Sequence, residues 1–316
     1  EKTYMDINQY RPPVALIFAG QGSPAIGMGA DLWRRNPLIH QIWECASDIS
    51  GSDIRRVCLT GPLHKLIQTP VQQLAVTAIN LSFYSLLQER GVNIIASCGH
   101  SVGEYSALYA AEVVTLERLF SLIHFRAATM HELSKKYKGA MLAVKGMDRV
   151  TLRQLLADAA PELDISCDNS CRQQVVGGSV PALRAFARRA RCTTVRLAVS
   201  GAWHTRLMQE GVQPMRDFLA AIPLRPPRHS LLMNLSGQPE SDPAAMRENL
   251  SLHLTHTVRW RETLTCLLAR ENPPLLVDIS HKAWLAALLS DFSDFAPQRL
   301  LHCRTLLTGQ RSRYDS

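Results

Sequence analysis

Gly99-His100-Ser101-Val102-Gly103-Glu104 holds a GxSxG pentapeptide between an apolar run, Val92 to Cys98, and an Ala- and Leu-rich segment, Tyr105 to Ala111. The run reads as a short buried strand and the segment as the first turns of a helix, so the pentapeptide falls on a strand–turn–helix corner. A serine hydroxyl is a poor nucleophile unless the backbone presents it beside a base and amide donors. The flanking glycines allow a tight turn and a close approach of helix to strand. Ser101 is then exposed at a helix N-terminus, where free N–H groups favour developing negative charge. A bare GxSxG also fits a glycine-rich surface turn, but strand before and helix after favour the catalytic reading.

Working outward, Val14 to Ala19 is a continuous apolar run ended by Gly20-Gln21-Gly22-Ser23-Pro24, the pattern of a buried parallel strand entering a loop. Helical segments are expected at Ala30–Trp33, Pro37–Ile49, Val71–Glu89 and Leu116–Lys135, a strand at Leu275–Ile279 and a helix at Ala283–Leu289. Strands alternating with helices predict an α/β core with a mostly parallel sheet. From Gly139 the texture changes. Ala140–Val144, Leu163–Cys167, Gln173–Gly177 and Thr193–Leu197 read as strands, with helices at Asp148–Asp158 and Val180–Arg189. That βαββαβ order is ferredoxin-like. The expected division is a large subdomain over 1–137 and 200–305, a small one inserted at 138–199, and a basic tail at 306–316.

The 316 residues, 46% hydrophobic and 20% charged, suit a globular protein with a sizeable core. No run approaches a membrane span and no signal peptide is legible, so a cytoplasmic protein is expected. The eight cysteines are scattered without a CxxC pair and read as free thiols; Cys167 and Cys171 have no partners at zinc-like spacing, and no metal is expected. The net charge of +8 points to anionic partners. Arginines dominate it, notably Arg184, Arg188, Arg189 and Arg191, then Arg299, Arg304, Arg311 and Arg313. Without a recognised motif or interleaved aromatics, nucleic acid is disfavoured against an acidic carrier protein or a phosphorylated cofactor. A nucleophilic serine needs a base, and His204, in the glycine-containing loop after Val199-Ser200-Gly201-Ala202-Trp203, stands at a strand end where catalytic groups gather. Spacing alone leaves His100 and His256 as competitors.

The ordered set Phe18 to Ser23, Gly99 to Glu104, Arg126 and Ser200 to His204 resembles the malonyl-CoA:acyl carrier protein transacylase family, which includes polyketide synthase acyltransferases. The similarity runs from about residue 14 to about residue 290, with Thr69, Gln73, Asn169 and Gln173 or Gln174 matching further family positions. The resemblance implies an α/β-hydrolase-like core with an inserted ferredoxin-like subdomain. It implies Ser101 as nucleophile, His204 as base, the N–H groups of Gln21 and Val102 as oxyanion hole, and Arg126 as the bidentate grip on a malonyl carboxylate. Without it, Arg126 reads as a solvated helix residue. Gln73, His100 and Trp203 are then expected in the substrate pocket. The resemblance implies no bound cofactor. Its substrates would be acyl-CoA and an acidic acyl carrier protein, handled by a monomer with neither nucleic acid nor membrane, as a free-standing, trans-acting enzyme of polyketide or hybrid polyketide/peptide synthesis.

The chain departs from the family pattern at Pro24, at His253 and Thr257 in place of a glutamine and a proline, and at Ser280-His281-Lys282 in place of a glycine-proline-glycine segment. The family's backbone carbonyl near His253 orients the catalytic histidine, a role His253 can keep. These departures suggest a specialised member. The Gly-Ala-aromatic-His pattern favours malonyl; Trp203, larger than the usual phenylalanine, leaves aminomalonyl, hydroxymalonyl or methoxymalonyl as alternatives, with CoA or a carrier protein as donor. Hydrolysis of carrier-bound acyl chains and non-catalytic carrier docking are the competing readings. Arg126 speaks against the first and the retained site residues against the second.

Overall fold

The computed structural model describes residues 11–20 and 24–309. Among them, nine strands form two sheets: β1 (Pro13–Phe18), β2 (Asn93–Gly99), β3 (Gly139–Lys145), β4 (Asp164–Asp168), β5 (Gln173–Ser179), β6 (Thr193–Arg196), β7 (Ser230–Leu231), β8 (Leu275–Ile279) and β9 (Leu300–His302). The first sheet, ordered β7-β2-β1-β8-β9, is parallel throughout. Its central strand β1 is apolar without alternation from Val14 to Phe18 because helices cover both faces. Val14 to Phe18 and all of β8 are buried. The helix Thr69–Glu89 is buried through most of its length, and it packs against helices Pro37–Ser50 and Leu116–Lys136. A helix apolar around most of its circumference has no solvent face to offer and must lie inside.

The second sheet, β4-β5-β3-β6, is antiparallel. With helices Arg149–Ala159 and Val180–Arg189 it makes the βαββαβ unit, with its own apolar cluster around Leu142, Val144, Leu152, Val176 and Phe186. Both helices start on side-chain caps. Asp148 accepts from the Thr151 amide at 2.8 Å and Ser179 from the Ala182 amide at 3.3 Å, each worth about 1 kcal/mol. The exposed arginines Arg184, Arg188 and Arg189 lie on the outer side of the second helix. Arg304 instead pairs with Asp31 at 2.6 Å and lies over the Phe83 ring, while Arg311 and Arg313 fall outside the described residues.

One expected element is corrected. Ala30–Trp33 is not a helix but part of a run of turns. Gly27 and Gly29 adopt φ of 90° and 81°, and the bonds that follow span three residues, Ala30 to Gly27 and Leu32 to Gly29. Positive φ at two glycines breaks helical continuity before a first turn can propagate.

Strand β1 lies between β2 and β8, with Phe18 level with Gly99 and Ile279. The carboxyl ends of these three strands converge, where ligands bind in open α/β sheets.

Candidate active site

The corner at Ser101 is built by close approach. A Cβ added to Gly99 would meet the Gly103 carbonyl at 2.0 Å, and one on Gly103 would meet the Phe18 carbonyl oxygen at 2.4 Å. Only glycines let the helix Gly103–Ala110 start this near the sheet. Ser101 itself sits at φ 54°, a left-handed conformation that costs an L-residue about 1–2 kcal/mol. Asn234 offsets that cost by bracing the turn from both sides. Its Oδ1 accepts from the Ser101 amide at 2.9 Å and its Nδ2 donates to the Gly99 carbonyl at 2.7 Å.

His204 lies beyond β6 in the Ser200–Thr205 loop, also at positive φ, 58°. Its Nε2 is 2.8 Å from Ser101 Oγ, and its Nδ1 is 2.8 Å from the His253 backbone carbonyl. A carbonyl only accepts, so Nδ1 carries the ring proton and Nε2 is left to receive one from the serine. Burial, reinforced by the Arg126 charge, pushes the His204 imidazole down to about 3. The ring is therefore neutral at physiological pH, as a base must be.

Arg126, on the helix Leu116–Lys136, is 2% exposed, so its expectation as a solvated residue fails. Nη1 donates to Gln73 Oε1 at 2.8 Å and Nη2 lies 3.4 Å from Ser101 Oγ; the guanidinium stands 5.4 Å from the Tyr105 ring centroid. Among the described residues no carboxylate lies within ion-pair distance of it. The Glu104 carboxyl acts on it only from beyond ion-pair distance, and a buried cation without a direct partner is costly, a cost an incoming carboxylate relieves.

Gln73 therefore stands at the arginine. His100 forms part of the wall of a cavity of about 350 Å³ that also meets Gly20, Asn80, Asn169, Gln173 and Trp284. Its Nε2 bonds Asn169 Oδ1 at 2.8 Å and its ring lies edge-on to Trp260 and Trp284. This ties the nucleophile corner to the antiparallel sheet. Gln173 contacts Asp291 and Gln174 contacts Asp168, so the two glutamines have separate tasks. Trp203 is buried at 4% exposure against Gly201 and is not among the residues lining this cavity. The Val102 amide, the first after the nucleophile, has no acceptor among the described residues. Gln21 lies outside the described residues.

Two further residues have no legible site signal in the sequence. Asn234 sits in no motif and Glu104 only closes one, yet its Oε2 accepts from the Asn234 amide at 2.6 Å. Among the described residues there is no cluster of three metal-ligating side chains and no helix long and apolar enough to cross a membrane. All eight cysteines are free.

Known proteins resemble this chain over most of its length. The acyl transferase domain family matches residues 15–298. A malonyl CoA-acyl carrier protein transacylase of Bacillus subtilis is 29% identical over 81% of this chain, which spans 66% of that protein. The polyketide biosynthesis malonyl CoA-acyl carrier protein transacylase PksC of Bacillus subtilis is also 29% identical, over 81% of this chain and 89% of its own. A solved malonyl-transacylase in complex with a type II polyketide synthase acyl-carrier protein superposes with a TM-score of 0.84 at 27% identity, covering 94% of this chain and 100% of that one. With the fold, the order of motifs and the family match in agreement over most of its length, the chain belongs to the acyl transferase domain family and is an acyltransferase of the malonyl-CoA:acyl carrier protein transacylase type.

Proposed function

We propose that this protein moves a malonyl group from a CoA or carrier-protein thioester to the phosphopantetheine thiol of an acyl carrier protein, in polyketide synthesis. The observation that carries the reading is the buried Arg126 guanidinium, with no carboxylate at ion-pair distance among the described residues and 3.4 Å from the hydroxyl that His204 contacts at 2.8 Å. Ser101 Oγ attacks the thioester carbonyl while its proton passes to His204 Nε2. The tetrahedral oxyanion collapses, the carbon–sulfur bond breaks, and the thiolate leaves with the proton from His204. The acceptor thiol then attacks the acyl-serine by the reverse steps. The Val102 amide, with that of Gln21, serves as oxyanion hole; losing one such donor costs about 3–4 kcal/mol. Arg126 grips the free carboxylate and so selects dicarboxylic acyl groups.

The net charge of +8 suits an acidic carrier protein, and the likeness to PksC and to the type II complex supports a polyketide setting. We also read residues 138–199 as the small subdomain, with 1–137 and 200–305 as the large one. The test is intact-protein mass spectrometry after incubation with malonyl-CoA or a malonyl carrier protein. One malonyl ester is expected on the wild type and none on Ser101→Ala. A wild type left unmodified by both donors refutes the proposal.

A further inference from the structure

We propose that Glu104 and His253 form a buried positioning pair that braces both members of the Ser101–His204 dyad, and that the ionisation of Glu104 in this pair sets how the reactivity of Ser101 changes with pH. The inference rests on the dyad in the reading above, and its test needs no acyl donor.

The contacts make a closed circuit. Glu104, 1% exposed on helix Gly103–Ala110, accepts from the Asn234 amide through Oε2 and lies 3.7 Å from His253 Nδ1 through Oε1. Asn234 holds the Ser101 amide and the Gly99 carbonyl. The His253 carbonyl holds His204 Nδ1, the two imidazoles lie with centroids 4.3 Å apart, and His204 Nε2 returns to Ser101 Oγ. One carboxyl group thus hydrogen-bonds the residue that braces the nucleophile turn and lies against the side chain of the residue whose carbonyl orients the base. Positioning of this kind acts through the geometry of other groups.

The groups facing the pair come from every neighbouring element. Arg126 projects from helix Leu116–Lys136, Cys98 from β2 and Tyr105 from the helix of Glu104 itself, while His100, His204 and His256 act on His253. Burial raises the Glu104 carboxyl to about 7, against the opposing pull of the Asn234 amide and Arg126. Burial and the surrounding histidines and Arg126 hold His253 well below its ordinary value. Around neutrality, then, the carboxyl is the group that loses a proton. The new negative charge favours the imidazolium that forms on His204 as Ser101 surrenders its proton, the service a carboxylate renders in a Ser-His-Asp triad. His204, pushed down to about 3, does not titrate in this range. A histidine at position 253 adds a second proton site to a pair that a glutamine would leave with one.

The measurement is the second-order rate of Ser101 phosphonylation by a fluorophosphonate, from about pH 5 to about pH 9. In that reaction the Oγ–P bond forms, fluoride leaves and the serine proton goes to His204. The wild-type rate is expected to rise through a midpoint near 7. Glu104→Gln is expected to lose that rise, and His253→Gln, which keeps the backbone carbonyl, to move its midpoint. A purely structural role for Glu104 lowers the rate equally at every pH and leaves the midpoint in place, which overturns the inference. So does an unmoved midpoint in His253→Gln, which stands as the test if Glu104→Gln fails to fold, and so does a wild type without a rise in this range. Failure of malonyl transfer with a normal phosphonylation profile strikes only the substrate assignment.

Discussion

Replacing Arg126 by alanine should abolish the preference for malonyl over acetyl donors, and its size follows from the geometry. Nη1 already donates to Gln73 at 2.8 Å, and Nη2 lies 3.4 Å from Ser101 Oγ, too long to compete for a strong bond. The carboxylate of a malonyl-serine lies two carbon–carbon bonds beyond the ester carbonyl, within reach of that fork. Two charge-assisted hydrogen bonds are worth roughly 1.5–3 kcal/mol each. Part of that gain is offset by desolvating the carboxylate, which leaves a net of about 3 kcal/mol, or about 150-fold in kcat/KM. Arg126→Lys keeps the charge and loses the planar fork, so roughly one bond is lost and the fall is tenfold or more. The assay is the rate of acyl-enzyme formation with malonyl-CoA and with acetyl-CoA, read by quenched-flow mass spectrometry. Acetyl has no carboxylate, so the ratio of the two rates isolates the grip. If Arg126→Ala keeps the wild-type ratio within about threefold, the guanidinium does not bind the acyl carboxylate and the argument from its lack of a direct ion-pair partner collapses.

Gly99→Ala places a Cβ 2.0 Å from the Gly103 backbone, where nothing can move without opening the helix from the sheet. The variant should lose more than about 3 kcal/mol, seen as a large fall in thermal midpoint or in soluble yield; a midpoint within a few degrees of the wild type contradicts the packing. Acidification offers an independent check. His204 and His253 are held below their unfolded value of 6.5, so the folded state binds fewer protons, and their contribution, complete above that value, is lost as pH falls below it. Each such group costs about 1.4 kcal/mol per pH unit. Glu104, raised from 4.5 to about 7, works the other way, its burial costing stability as pH rises through that window. The thermal midpoint of the wild type relative to His253→Gln should therefore worsen between pH 7 and pH 5. A constant difference would mean that the His253 ring is not held neutral.

Much of the architecture is legible from local pattern. The continuous apolar run in β1 announces a strand covered on both faces, and β8 occupies the expected Leu275–Ile279. The βαββαβ order and its antiparallel sheet follow from strand periodicity alternating with capped helices. What failed locally failed for local reasons: Ala30–Trp33 has helix formers, but the glycines before it leave the helical region. The two-residue β7 and the three-residue β9 are too short to carry a period.

The site divides in the same way. A nucleophile corner can be read from six contiguous residues, because the tight turn, the glycines and the start of the helix are all encoded within hydrogen-bonding range along the chain. Sequence by itself therefore determined the carboxyl end of a strand presenting Ser101 at a helix start, and motif order added His204 and Arg126. The tertiary structure alone decided how these are held. Asn234 braces the Ser101 turn across 133 residues, His204 meets Ser101 across 103, and Glu104 joins Asn234 to His253 within one buried volume. Only folding removes the water that would otherwise satisfy an arginine, a carboxyl group and two imidazoles separately. Once it is gone they depend on one another, and a dependence of that kind has no periodicity along the chain.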